Sequence, residues 1–454
     1  MTKPVSEREL VLGILLEVTE EGEYSHIVLR RTLEKYQYME KKERAFITRV
    51  TEGTLEHLIE IDYILDCFSK VKVKKMKPVI RAILRSAVYQ LKYMDSIPDA
   101  AVCNEAVKLA VKKGFANLKG FVNGVLRNVA RNIDKVEYPK EGTRAFSVKY
   151  SMPEWILDMW SRDIDTATIE KIAASFQREI PVTICCNQEK VSPSMLKEAL
   201  MKEGVHVKEH PYLPYAFRIS GYDHLKNLDC FCKGWFLVQD ISSMLAVEAA
   251  RVKRNDRILD VCAAPGGKAL HMAEKLCNTG FVEARDLTVY KTELIEENIA
   301  RTGLKNIKAV CKDATILDEK ERGKADIVLA DLPCSGLGVL GKKTDLKYKI
   351  TREGMEELVL LQRNILSTVQ NYVRPGGTLL YSTCTIHREE NEENIRWFLK
   401  NHPDFVLENI KEDLCEELKE SVSGEGWLQL LPGIHDSDGF FIARLVRKKE
   451  SDRI

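Results

Sequence analysis

Net charge is nearly absent from this 454-residue sequence: 69 Lys and Arg face 68 Asp and Glu, a formal +1. Overall charge therefore names no partner. Long apolar runs are absent too. None approaches the ~18 residues that cross a bilayer, so no membrane-spanning helix is expected. The early stretch Leu10 to Leu16 follows Glu7 and Glu9 and lacks a positive n-region; it reads as an amphipathic helix rather than a signal peptide. Without an export signal, the 12 cysteines are expected to be reduced thiols in a cytosol. Internal repeats and low-complexity tracts are missing, which argues against a solenoid. HExxH spacing is missing, and Cys230 and Cys232 have no second pair, so no metal is expected.

What is present is ordinary globular material. Hydrophobic residues make up 44% and charged residues 30%, which excludes a disordered chain. The length leaves room for two or three domains. The charge balance hides a split. Residues 71–131 hold 13 Lys and Arg against 3 Asp and Glu, whereas 389–425 hold 4 against 12. A local basic surface is what a phosphate backbone needs, although Lys-rich helices are also commonly just solvated faces.

Residues 1–135 read as nearly all helix. Apolar residues recur at helical spacing: Leu10, Ile14, Leu15 and Val18; Ile80, Ile83, Leu84 and Ala87; Phe121, Val125, Leu126 and Val129. This is the pattern of a helical bundle. Residues 133–153, with Pro139 and Gly142, look like a linker. Strand-like runs at Val182–Cys186 and Ala216–Ile219 follow among short helices. From about 236 the pattern is βαβ. Runs Arg257–Val261, Gly280–Ala284, Ile307–Val310, Asp326–Ala330 and Gly377–Tyr381 read as buried parallel strands, with helices at 267–276, 289–302 and 353–373. That is a doubly wound α/β domain.

The first of these strands runs into Asp260-Val261-Cys262-Ala263-Ala264-Pro265-Gly266-Gly267-Lys268 and then a helix. Small residues at such a turn let the backbone approach a ligand closely. The loop is neither a P-loop, since Ala269 follows Lys268, nor GxGxxG, so phosphate cradling is not the preferred reading. The next three strands end at Asp286, Asp313 and Asp331. A single strand-end Asp is usually a helix cap. Four along one sheet edge read as a nucleoside site.

Two cysteines stand just past two strand ends, in Asp331-Leu332-Pro333-Cys334-Ser335-Gly336 and Ser382-Thr383-Cys384-Thr385. A lone Cys is usually a small hydrophobe. Two on adjacent loops at the ligand edge suggest nucleophilic chemistry, provided that Lys268 or helix N-termini favour the thiolate. His271 is expected to be a packing or solvent-facing residue.

These three motifs together resemble the S-adenosylmethionine-dependent RNA cytosine-5 methyltransferases. Val238-Gln239-Asp240, Arg388-Glu389-Glu390-Asn391 and Asp438-Gly439-Phe440-Phe441-Ile442-Ala443 also match. The helical N-terminus resembles the NusB type of RNA-binding domain through Asn104-Glu105-Ala106-Val107 and Phe121-Val122-Asn123-Gly124-Val125-Leu126-Arg127. The resemblance covers nearly the whole chain and thins across 140–235. It implies an α/β protein: a Rossmann-like methyltransferase domain at 236–449, preceded by an all-α NusB-like bundle at 1–135 and a linker with a small α+β subdomain at 136–235.

The resemblance further implies methylation of carbon 5 of one cytosine in 16S rRNA. By position, Cys384 matches the nucleophile that attacks C6, Asp331 the residue at the cytosine N3 edge, and Cys334 the cysteine implicated in release. Cys262, Ala263, Ala264, Pro265, Gly266, Gly267 and Lys268, with Asp286, Asp313 and Asp331, match the S-adenosylmethionine pocket. The implied partner is 16S rRNA, free or in an incompletely assembled small subunit; no membrane is expected, and a monomer is favoured. Three departures stand out. Thr385 replaces a usual Ser, Cys185-Cys186-Asn187 replaces an Arg-x-Asn strand, and Thr344-Asp345 replaces a Pro-Asp pair, which predicts a looser loop there. The competing readings are a methyltransferase for tRNA or another RNA and a non-catalytic RNA-binding assembly factor. A DNA cytosine-5 enzyme is disfavoured because its nucleophile is the Pro-Cys cysteine, leaving Cys384 unexplained.

Overall fold

The computed structural model describes residues 5–178, 181–449 and 451. They fold as two compact units, one made of 5–178 with Leu340–Ile350 and the other of the remainder.

The first unit is helical. It begins with α1 (Glu7–Thr19), α2 (Ser25–Lys35), α3 (Lys41–Glu56), α4 (Leu58–Phe68), α5 (Pro78–Tyr93), α6 (Asp99–Lys112) and α7 (Lys119–Asn132). Local chemistry sets their starts. Ser6 and Glu9 form a reciprocal capping box on α1, and Pro78 opens α5, where its missing N–H costs nothing. Most of the apolar positions expected from spacing are buried: Ile14, Leu15, Ile83, Leu84, Val125, Leu126 and Val129 lie in one core, whereas the expected Phe121 is half-buried beside it and Val122 takes the buried position. Lys72, Lys74, Lys75, Lys77, Lys112, Lys113 and Lys119 are exposed on this unit, Lys72 paired with Asp66 and Lys112 and Lys113 with Glu9.

The expected linker at 133–153 is partly helical. Helix α8 (Gly142–Tyr150) buries Ser147, Val148 and Tyr150, and α9 (Glu154–Trp160) and α10 (Thr166–Ser175) extend the same unit. Pro139 and Gly142 punctuate the start of α8 rather than a long loop. The segment 136–235 is thus divided between the units, because the apolar faces of α8–α10 find their partners on the helical side.

Leu340–Ile350 also clusters with the helical unit. Asp345 is buried and accepts hydrogen bonds from the Ser25 amide at 3.0 Å and hydroxyl at 2.6 Å. Lys347 Nζ donates to the Glu56 carbonyl at 3.0 Å, and the Tyr348 hydroxyl to the Ser151 carbonyl at 3.1 Å. The looser loop expected from Thr344-Asp345 is therefore not found: the Asp side chain pins it.

The second unit holds two sheets. Strands β1 (Val182–Cys186), β2 (His206–Glu209), β3 (Ala216–Ser220) and β4 (Phe236–Val238) pair antiparallel in the order β2-β3-β1-β4. Helices α11 (Pro193–Lys202) and α12 (Asp229–Cys232) lie between them in sequence. Cys185 and Cys186 are fully buried here, in the core that this sheet shares with the larger one. After α13 (Ile241–Ala249) come β5 (Arg257–Asp260), α14 (Gly267–Lys275), β6 (Phe281–Asp286), α15 (Val289–Thr302), β7 (Ile307–Cys311), β8 (Ala325–Asp331), α16 (Arg352–Val369) and β9 (Val373–Thr383).

These five strands are parallel in the order β7-β6-β5-β8-β9, so chain direction across the sheet reverses between β5 and β8. Ligands bind at that switch point, outside the strands' C-terminal ends. The sheet is not wholly parallel. Following α17 (Glu392–Asn401), β10 (Phe405–Glu408), β11 (Leu428–Leu430), after the short α18 (Glu416–Lys419), and β12 (Phe440–Arg447) add an antiparallel edge, with β12 against β9. Among the described residues no helix is long and apolar enough to cross a membrane.

Candidate active site

The glycine loop leaves β5 at the switch point. Gly266 takes φ +105°, a conformation that favours glycine, and a Cβ there would crowd Ile295 and Leu270 at 3.3 Å. A cleft of about 170 Å³ lies beside the loop. It is lined by Asp260, Cys262, Ala263, Ala264, Pro265, Gly267, Lys268 and Asp331, together with Val238, Gln239, Asp240 and Ser243. Most of the expected pocket residues are thus brought together.

Asp286, at the end of β6, supports the loop from behind. Its carboxylate accepts from the Ala264 amide at 2.9 Å and pairs with Lys291 at 3.0 Å. Asp313 is placed differently: its Oδ1 accepts from the Thr315 amide at 2.8 Å and hydroxyl at 2.6 Å, capping its own turn. Neither lines the cleft.

The cleft's electrostatics follow from burial. Asp260 is buried, and its pKa is pushed up to about 8 by desolvation and then by the Asp331 charge. Lys268 Nζ lies 2.6 Å from Asp331 Oδ2. Burial opposes the lysine charge, but Asp331 and Asp260 outweigh it and hold its pKa above the ordinary value. Asp331 Oδ1 also accepts from Ser382 Oγ at 2.9 Å.

The register of β8 on β9 sets Asp331 opposite Ser382. Each cysteine lies a few residues beyond that pair, so the two loops run side by side. The Sγ atoms of Cys334 and Cys384 are 3.2 Å apart. The hydrogen bond to Cys384 and burial together raise the Cys334 thiol well above its ordinary pKa. Either sulfur can donate across this contact, so the two thiols stand close enough to act on one substrate atom after another.

Close backbone packing fixes the loop: the Gly439 amide donates to the Gly338 carbonyl at 2.9 Å, and the Gly338 amide to the Cys384 carbonyl at 3.1 Å. A Cβ on Gly338 would lie 2.0 Å from the Gly439 carbonyl oxygen. This explains physically why Asp438-Gly439-Phe440 carries a signature.

His271 is buried, edge-on to Tyr215, with its pKa lowered to about 3 by burial; it is a packing residue. Sequence reasoning missed Gln239 as a site residue, although it stands in one of the matched motifs. The residue lines the cleft, and its side-chain oxygen and nitrogen are both buried without a hydrogen-bond partner. It also missed the roles of Gln362 and Glu390, which only tertiary contacts reveal.

Comparison with known proteins agrees with this architecture. The family model for 16S rRNA methyltransferase RsmB/F matches residues 247–446, the NusB family model residues 5–131, and the RsmF/B-like ferredoxin-like domain residues 152–223. The Probable ribosomal RNA small subunit methyltransferase B of Bacillus subtilis (strain 168) is 35% identical over 98% of this chain and 100% of that protein. A Synechocystis protein of the same name is 30% identical, again over 98% and 100%. Among solved structures, that of PH0851 aligns with a TM-score of 0.81 at 27% identity, covering 97% of this chain and 98% of the other. NSun6 from Pyrococcus horikoshii, solved with SFG, an S-adenosylmethionine analogue, shares the fold at a TM-score of 0.55 and 24% identity, over 69% of this chain and 99% of that one.

Proposed function

From the premise that this chain belongs to the ribosomal RNA small subunit methyltransferase B family of S-adenosylmethionine-dependent rRNA methyltransferases, we propose that it methylates carbon 5 of a specific cytosine in 16S rRNA through a covalent cysteine–cytosine adduct. The observation that carries this reading is the approach of Cys334 to Cys384 beside the Lys268–Asp331 pair.

The cleft fits the cofactor on one specific ground. Gln239 presents an orphaned buried amide beside the glycine loop, a cost that a bound polar ligand relieves. Residues 262–268 and Gln239 would hold S-adenosylmethionine, with Asp286 bracing the loop. Bound there, it supplies a methyl group to C5, the sulfur–methyl electron pair staying on its sulfur.

The chain's own groups do the rest. The target base leaves its stack to reach the site. The Cys384 thiolate adds to C6, and ring electrons move to N3. Asp331 meets that edge, and the Lys268 ammonium bonded to it supplies the proton. C5 is now nucleophilic and takes the methyl group.

Release reverses the addition. With its sulfur bonded to carbon, Cys384 leaves the sulfur contact with Cys334, whose thiol still carries its proton. Cys334 loses that proton to solvent and takes the one on C5. The C5–H pair re-forms C5=C6, the C6–S bond breaks, its electrons return to Cys384, and N3 gives back its proton. The exposed lysines of the helical unit grip phosphates without reading sequence.

The test is methyl transfer from isotope-labelled S-adenosylmethionine to unmodified small-subunit rRNA, naked and in partly assembled particles, followed by nucleoside analysis. Labelled 5-methylcytosine at one position is expected. Label on another base, or none with protein that binds the cofactor, would overturn the reading.

A further inference from the structure

A buried carboxylate that the chemistry above does not use ties the two cysteine loops together. Glu390 is fully buried. Its Oε2 accepts from the Ser335 backbone amide at 2.9 Å and from Gln362 Nε2 at 2.9 Å, and its Oε1 lies 3.1 Å from His387 Nδ1. Ser335 immediately follows Cys334. Gln362 Nε2 also donates to the Pro333 carbonyl, on the other side of Cys334, at 2.8 Å. The Cys334 loop is thus held on both flanks by one carboxylate–amide pair.

The Cys384 loop has its own anchors. Thr383 Oγ1 donates to Asn391 Oδ1 at 2.6 Å, and Asn391 Nδ2 donates to the Thr385 carbonyl at 3.0 Å. A hydroxyl pair, Ser335 with Thr385 at 2.7 Å, links the loops beside the two sulfurs. The asymmetry has a consequence: removing Glu390 leaves the Ser335 amide, one Gln362 N–H and the His387 ring without this partner in the interior, whereas Thr383 and Thr385, on either side of Cys384, keep their Asn391 clamp. Buried donors without partners drive local rearrangement.

We propose that Glu390 is a positioning residue for Cys334, setting its distance from Cys384 and so governing release of methylated RNA rather than addition to it. This rests on the covalent reading above. Loss of Glu390 leaves Cys384 able to add and the methyl group able to transfer, but removes the base from the C5 proton. The C6–S bond then persists.

The experiment compares wild type, Cys334→Ala, Glu390→Ala and Glu390→Gln on small-subunit rRNA with S-adenosylmethionine, resolving the covalent protein–RNA complex on denaturing gels. Cofactor affinity and multiple-turnover rate are measured alongside. Glu390→Ala is expected to accumulate at least tenfold more complex than wild type, with lower kcat and unchanged cofactor affinity. Glu390→Gln, whose amide oxygen still accepts from Ser335 and Gln362, is expected to restore release. If Cys334→Ala traps RNA but Glu390→Ala does not, the inference is overturned and the covalent reading stands. If Cys334→Ala traps none, the release role falls, and this inference with it. Should Glu390→Ala fail to bind cofactor, Gln362→Met, which removes the bond to Pro333, takes its place; trapping supports the proposal and its absence overturns it.

Discussion

The sulfurs of Cys334 and Cys384 are fifty residues apart in sequence and 3.2 Å apart in space. Because both thiols stand at one point of the site and only one of them needs to become the nucleophile, single substitutions separate their roles.

Replacing Cys384 with Ala removes the group proposed to add to C6. Methyl transfer is expected to fall by roughly 10³-fold or more, with S-adenosylmethionine affinity unchanged by calorimetry. Substantial residual transfer would remove Cys384 as the nucleophile.

Replacing Cys334 with Ala is expected to slow turnover while a covalent protein–RNA complex builds up on denaturing gels. A variant that loses activity with no trapped complex, under conditions where Cys384 is intact, would show that Cys334 acts before release.

Gln239→Leu is expected to move stability and binding in opposite directions. Removing an orphaned buried amide should stabilise the free protein by about 1 kcal/mol. The same change should weaken S-adenosylmethionine binding by about tenfold. Thermal melts with and without cofactor check both signs; equal shifts in the two melts would remove Gln239 from the binding site.

Lys347 gives a pH signature in the helical unit. Burial lowers its pKa from 10.5 to about 7. A depressed folded-state pKa means that the unfolded chain binds more protons between those values, so stability rises with pH across that window. Lys347→Met removes this penalty, of order a few kcal/mol at pH 7, but leaves the Glu56 carbonyl without its Nζ donor. Its melting advantage should be largest near pH 7 and shrink toward pH 10. A gap independent of pH would refute a neutralised, buried Lys347.

The exposed lysines of the helical unit predict salt-sensitive RNA binding. Changing Lys74, Lys75 and Lys77 together to Ala should weaken rRNA affinity and flatten its salt dependence, by roughly one unit of log–log slope per lost phosphate contact. An unchanged slope between about 50 and 200 mM salt would place the grip elsewhere.

Much of this was legible before any coordinates. Helical spacing marked the core positions of α1, α5 and α7, because a 3.6-residue period is a local property of the chain. Buried strands β5, β6, β8 and β9 showed as short apolar runs; β7, expected to be buried too, is the sheet's edge and buries only Ile307. The acids and cysteines fell at or just past the strands' C-terminal ends because polar groups that serve a ligand must sit where the apolar run stops. The antiparallel β12 was less visible: its run Phe440–Ala443, also buried, is short and is followed by Arg444, whose burial beside Asp413 only the tertiary structure shows.

The sequence by itself therefore determined the helices of the bundle, the five parallel strands in their chain order, and the edge on which most of the chemistry-bearing residues stand. Tertiary structure alone decided the distances. Asp331 lies opposite Ser382 through strand register, and that pairing is what carries Cys334 to Cys384. The folding of Leu340–Ile350 with the helical unit rests on hydrogen bonds such as Ser25 with Asp345, 320 positions apart, for which no local period exists. Glu390 belongs to the same class. In sequence it is one acid in an acidic segment. Burial between α16 and the two loops makes it an anchor, because a carboxylate taken from water must find its donors inside the protein.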